Sequence, residues 1–184
     1  ELEGRGHVHA PPARGPKCVH HSRKTVDRSQ QLGVVHILPR DLRKSAVDQG
    51  RFALLNGVAD DGVTYTFKMK AGVTFASGNP VTAEAAAYSL QRAVKVNKTP
   101  AFILNQFGWT AENVDAMITG AGDTLTLKVD KPFAPTFLYN CLTAGVASIV
   151  DAETVKTHDV GGDMANEWLK NNSAGTGAYV LKSY

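Results

Sequence analysis

The residue types best suited to chemistry crowd the start of the chain, where His7, His9, Cys18, His20 and His21 bring imidazoles and a thiol together. Zinc takes such ligands, but a structural site needs four of them converging at about 2.0–2.3 Å. No patterned flanking element is present to hold them, so the reading is a solvated His-rich segment with no metal and no cofactor. After these histidines lie Arg23, Lys24, Arg28, Arg40, Arg43 and Lys44, which would attract a polyanion by charge alone. Specific nucleic-acid recognition asks for an aromatic stacking platform or a zinc-finger pattern. The segment has neither, and no specific nucleic-acid partner is expected.

Further along, Asp60/Asp61 and Asp151/Glu153 form carboxylate pairs of the kind used in general acid–base work. Their settings, a turn and a helix start, account for them without catalysis. Gly175–Thr176–Gly177 is glycine-rich but lacks the Lys-Ser/Thr ending of a phosphate loop; it reads as a turn. Gly161–Gly162 reads as a loop leading to a helix capped by Asp163. Phe107 and Trp109 lie in an irregular stretch and are open to stacking against a ligand. Trp168, Tyr88 and Tyr139 fall on expected helices and read as core or surface residues. No set of catalytic residues emerges, so no enzyme is expected, and ligand-binding residues stay unassigned. The only cysteines, Cys18 and Cys141, lie in different regions. They do not make a disulfide framework, and Cys141 reads as an unpaired residue of the apolar run Phe137–Leu142.

These side chains need elements to place them, and composition divides the chain in two. Of 184 residues, 43% are apolar and 20% charged, with a formal net charge of +3. Residues 1–57 hold ten Lys/Arg against five Asp/Glu, whereas 58–184 hold ten against twelve. Thirteen of the fourteen aromatic residues, all but Phe52, lie in the second part. Aromatic side chains supply much of a core's burial, so the first third is poorly equipped to pack. The totals exclude a collagen-like chain, a disulfide-dense miniprotein and a wholly disordered polyelectrolyte. No stretch approaches the roughly 18–20 consecutive apolar residues of a membrane-spanning helix, and the N-terminal residues lack the basic region, apolar core and small-residue cleavage site of a signal peptide.

Within 1–57 only short pieces stand out: an apolar stretch at Val34–Leu38, a helical turn or two over Asp41–Val47, and a strand over Arg51–Leu55. The boundary falls near residues 57–60, after which Asp60–Asp61–Gly62 makes a turn. Val63–Lys70 then alternates apolar and polar residues, the period of a half-buried strand. A short extended piece, Val73–Phe75, follows. Thr82 is placed to cap a helix carrying Ala83, Ala86, Ala87, Leu90 and Val94 on one stripe, with Glu84 in its first turn; Gln91, Arg92 and Lys95 are expected to face outward. Asn97–Lys98–Thr99–Pro100 ends it. Val114–Thr119 and Thr124–Asp130 read as a hairpin around Gly120–Asp123. Ala134–Leu142 reads as a helix, Val146–Val150 as a strand, and Ala152–Thr157 as a helix capped by Asp151. Met164 and Trp168 are expected on the buried side of a last helix, and Ala178–Ser183 is strand-like. Strands and helices mixed in this way predict an α/β or α+β unit.

The run Asp61-Gly-Val-Thr-Tyr-Thr-Phe-Lys-Met-Lys-Ala-Gly-Val-Thr-Phe75, followed by Gly78-Asn-Pro-Val-Thr-Ala-Glu84, resembles the solute-binding proteins of ABC importers, in particular the oligopeptide- and dipeptide-binding family (extracellular solute-binding protein family 5). Lys131-Pro-Phe-Ala-Pro135 is similar to that family's linker after the hairpin. Gly175-Thr-Gly-Ala-Tyr-Val-Leu181 is similar to the re-entry into its main sheet, with Ala178 where Pro is common. The resemblance covers residues 58–184. It implies a fragment of a two-lobed, periplasmic-binding-protein-like (type II) α/β fold, a mixed sheet with flanking helices, here part of lobe I. It further implies a peptide or other small solute as ligand, ABC permease subunits as partners, and a place in the periplasm or on the outer cell surface. The second lobe, with the family's carboxylate for a peptide's amino terminus, has no counterpart here. Residues 1–57 do not resemble the family's N-terminal segment; their composition fits an out-of-frame junction better than a chimera or a foreign leader. The competing expectation is a small interaction module whose basic arm binds nucleic acid or another polyanion.

Overall fold

The computed structural model describes residues 53–177, with side chains from Gly57 onward. The elements expected at Val34–Leu38, Asp41–Val47 and Ala178–Ser183, the His/Cys cluster and the basic residues up to Lys44 therefore lie outside the described residues.

Four strands, β1 (Ala53–Val58), β2 (Thr64–Met69), β3 (Ile118–Ala121) and β4 (Thr124–Lys128), form one sheet in the order β1-β2-β4-β3. Every described pair is antiparallel, with Tyr65 opposite Leu127 and Phe67 opposite Leu125. The alternation expected for 63–70 is seen directly. Tyr65, Phe67 and Met69 are buried, while Thr64, Thr66 and Lys68 point to the other face. β1 reaches into the stretch 57–60 where composition shifts, and its pairing with β2 begins at Ala53.

The inner face of the sheet packs on α1 (Ala83–Val96). Thr82 caps it, its side chain accepting from the Ala85 N–H, and Asn97 ends it in the left-handed conformation. Ala83, Ala86, Ala87, Leu90 and Val94 form the buried stripe, as the spacing predicts. Small residues there allow close approach, and Gly120 of β3 uses it. A Cβ at Gly120 would lie 2.2 Å from the Ala83 carbonyl oxygen. Gln91 and Arg92 do not simply face water: Gln91 donates to the Ile118 carbonyl (2.8 Å), and Arg92 Nε to that of Met164 (2.7 Å).

Three expectations are corrected. Val114–Met117 is a helical turn, α3, and only Ile118 onward is strand. Asn113 drives this turn, accepting from Thr110 N–H and donating to the Gly108 carbonyl. The strand expected at 146–150 is a 3-10 turn over Gly145–Ala147 followed by irregular chain, tied to α1 because Ser89 Oγ bonds both the carbonyl and the N–H of Val150. Among the described residues no α-helix follows Asp163. Met164 and Ala165 have φ near +51° and +54°, where an L-residue's Cβ clashes with the backbone, and only Trp168–Lys170 makes a 3-10 turn. Ala165, not Met164, is the buried residue there.

The short helix α2 (Phe102–Asn105) precedes α3. The helix α4 (Pro135–Leu142) starts with Pro135 in its first turn, where the missing N–H costs nothing. The helix α5 (Ala152–Thr157) is capped by Asp151 as expected.

Candidate functional site

Asp61 caps the β1–β2 turn. Its Oδ1 accepts from the N–H groups of Val63 and Thr64, both at 2.9 Å, and its Oδ2 from Thr64 Oγ1 at 2.8 Å. Those bonds hold its carboxyl below the usual value, the Val63 N–H contributing most. Asp60 lies exposed beside it and joins no shared site.

Phe107 and Trp109 are placed differently from the stacking role left open for them. Both are fully buried. Trp109 donates its indole N–H to the Lys128 carbonyl at 2.6 Å, tying the 107–109 segment to β4. Phe107 packs against Trp109, Phe133 and Phe137 at centroid distances of 5.3, 5.1 and 5.7 Å. These rings are core, and Phe137, on α4, and Phe102, on α2, present large apolar surface. Gly108, at φ +79°, lets this segment pass Asp130, whose Cβ would sit 2.5 Å from an added methyl.

Tyr139 meets Phe67 edge-on at 6.4 Å. Tyr88 is half-buried beneath the Lys156 ammonium, 5.1 Å from the ring centroid. Trp168 stacks on His158 at 4.0 Å, and its neighbour Leu169 packs, with Tyr88 and Val150, on the small cluster of Val155, Ala165 and Ala174. Cys141 is buried and accepts from Gln106 Nε2 at 3.2 Å, and burial pushes its thiol up. Gly161 and Gly162 form a loop with φ of +67° and +81°.

The densest polar cluster surrounds Asp151, which is 2% exposed. Its Oδ2 accepts from Ser77 Oγ at 2.6 Å, Asn79 Nδ2 at 2.9 Å and Thr154 Oγ1 at 2.5 Å, and its Oδ1 accepts from the Glu153 N–H at 3.1 Å. Burial pushes the carboxyl up, but the bonds from Ser77, Thr154, Asn79 and Glu153 outweigh it and leave the group below the ordinary carboxylate value. Glu153 contributes only its backbone, so Asp151 and Glu153 make one capped helix start, the setting read from the sequence. Sequence reading found the cap; it missed Ser77 and Asn79, which only folding brings to Asp151. Among the described residues no group of three or more His, Cys, Asp and Glu is placed to hold a metal, and no helix is long and apolar enough to cross a membrane.

A model of the bacterial extracellular solute-binding proteins, family 5, middle part, matches residues 52–184. The chain belongs to this family. It is 36% identical over 127 residues to the probable D,D-dipeptide-binding periplasmic protein DdpA of Escherichia coli K12, a match covering 68% of this chain and 22% of DdpA. It is 34% identical over 183 aligned positions to the periplasmic murein peptide-binding protein MppA of the same organism, covering 86% of this chain and 32% of MppA. Residues 58–184 number 127 of 184, about 69%, so the MppA match runs into the first 57 residues that composition set apart. The fold is similar to that of MppA in its unliganded open form, with a TM-score of 0.60 at 24% identity, covering 85% of this chain and 30% of that one. The chain thus spans between a fifth and a third of the length of the relatives it matches. As a family 5 chain it has the expected α/β architecture, a sheet flanked by helices.

Proposed function

We propose that this chain is part of one wall of a two-lobed solute clamp serving an ABC import system, with a peptide as the solute. The observation that carries the reading is the family 5 match over 52–184, together with the two curated relatives whose names specify peptide ligands. In such a clamp, the protein of which this chain is a part works in the periplasm or on the outer cell surface. It delivers solute to membrane permease subunits that separate ATPase subunits drive.

A cleft binder gains affinity by burying most of its ligand between two surfaces and completing the ligand's hydrogen bonds there. The described sheet and helices offer one surface, and their aromatic residues are largely spent on the interior: Phe107 and Trp109 are core. The chain by itself therefore does not hold a peptide tightly. Isothermal titration of the 184-residue chain with a mixed library of di- to pentapeptides checks this. Weak or undetectable heat is the expected result, and submicromolar binding to the isolated chain overturns it. Fusing the downstream two-thirds of a family 5 relative should restore peptide binding if the import reading is right.

A further inference from the structure

The last described stretch of the chain, residues 172–177, lies across the body as a strap without regular secondary structure. Its Ala174 and Gly175 are buried all the same. Two long-range backbone bonds grip it. The Asp151 N–H donates to the Ala174 carbonyl at 2.8 Å, and the Ala76 N–H to the Gly175 carbonyl at 2.9 Å. The donors lie far apart in the chain, one at the start of α5 and the other in the 76–79 turn. Consecutive carbonyls of the strap can be held only if those two donors keep a fixed separation.

The Asp151 side chain is what spans them. Its carboxylate takes hydrogen bonds from Ser77 and Asn79 on the turn and from Thr154 and the Glu153 N–H on α5. All four donors are neutral, so the cluster is held by geometry and not by an ion pair. A carboxylate suits it because both oxygens accept, and hydrogen bonds to a charged acceptor are about twice as strong as neutral ones. We infer that Asp151 is the positioning residue of a latch: by binding the 76–79 turn and the start of α5 together, it sets the two donors that seat the strap. The inference does not rest on the proposed import role, because the latch is internal to this chain.

Asp151→Asn in the 184-residue chain tests it. The amide keeps the size of the side chain but turns one acceptor into a donor facing other donors. Local opening is read by hydrogen exchange, which separates regional from global unfolding. The expected result is exchange at least tenfold faster at the amides of residues 76 and 151, with the amides of β2 and β4 unchanged. Ser77→Ala, which removes one donor and adds nothing, should act at the same two amides to a smaller degree. It carries the test if Asp151→Asn does not fold. Unchanged protection at residue 76 in the folded variants overturns the latch. Equal loss across β2 and β4 in Ser77→Ala also overturns it, since Asp151 would then be a general support of the core.

Discussion

Replacing Gly120 with alanine asks whether the approach of β3 to α1 is as tight as its geometry indicates. The new Cβ would lie 2.2 Å from the Ala83 carbonyl oxygen, 2.3 Å from its carbon and 2.5 Å from the Glu84 nitrogen. All three are backbone atoms at the start of α1, so no side-chain rotation relieves the contact; strand and helix must separate. Overpacking costs roughly 1–3 kcal/mol, occasionally more, and a contact with no rotamer escape belongs at the upper end. The alanine also reduces the freedom of the unfolded chain, an opposing gain of about 0.4–1 kcal/mol. The net expectation is a loss of about 2 kcal/mol. Separation would in addition weaken the bond from the Gly122 N–H to Glu84 Oε1, now 3.0 Å. For a folded unit of this size, 1 kcal/mol shifts Tm by roughly 3–5 °C, so a fall of about 6–10 °C is expected by circular dichroism. Gly145→Ala is the matched control, since its Cβ meets nothing within 4 Å and its φ is not positive. A Gly120→Ala melt within about 2 °C of the parent would refute the argument.

Leu90, fully buried on α1, should cost about 2–5 kcal/mol when cut to alanine, read as a lower urea midpoint at unchanged slope. Trp109→Phe leaves the Lys128 carbonyl without its indole donor, and a loss of about 1–3 kcal/mol is expected. In Trp168→Phe the remaining emission should be that of a fully buried indole, and a red, solvent-exposed spectrum would contradict the placement of Trp109. Acid should loosen the fold, because Asp61, Glu84, Asp123, Asp151, Asp163 and Glu167 are all held below their ordinary values by hydrogen bonds. A carboxyl depressed in the folded state contributes stability that is complete above its unfolded pKa, about 4, and is lost as pH falls through the folded value. Urea midpoints should thus be level from about pH 7 to 5 and fall below about pH 4; a midpoint that rises on acidification would reverse the sign. Asp151→Asn should remove part of that fall.

Much of the local structure was written in short-range pattern. The alternation of Thr64–Met69, the alanine stripe with Thr82 ahead of it, Pro135 at a helix start and Asp151 at another each state a backbone preference that neighbouring residues satisfy by themselves. The family, too, was legible, since the motifs from Asp61 to Glu84 keep their order and spacing. What failed was of another kind. Val114–Met117 is apolar enough for a strand, and its helical turn exists because the Asn113 side chain bonds Thr110 and Gly108. Met164 and Ala165 leave the helical region where the Arg92 guanidinium bonds the Met164 carbonyl and Asp159 accepts its N–H.

By itself, then, the sequence determined the elements with a clear period or cap and the family they belong to, because period and capping act over a few residues. Tertiary structure alone decided what those elements do with their polar and aromatic side chains. Phe107 and Trp109 turn inward because β4, Phe133 and Phe137 meet them there. Asp151 becomes a junction because folding delivers Ser77 and Asn79 from more than seventy residues away. No local pattern encodes such meetings, which depend on the free energy of closing long loops around a shared core.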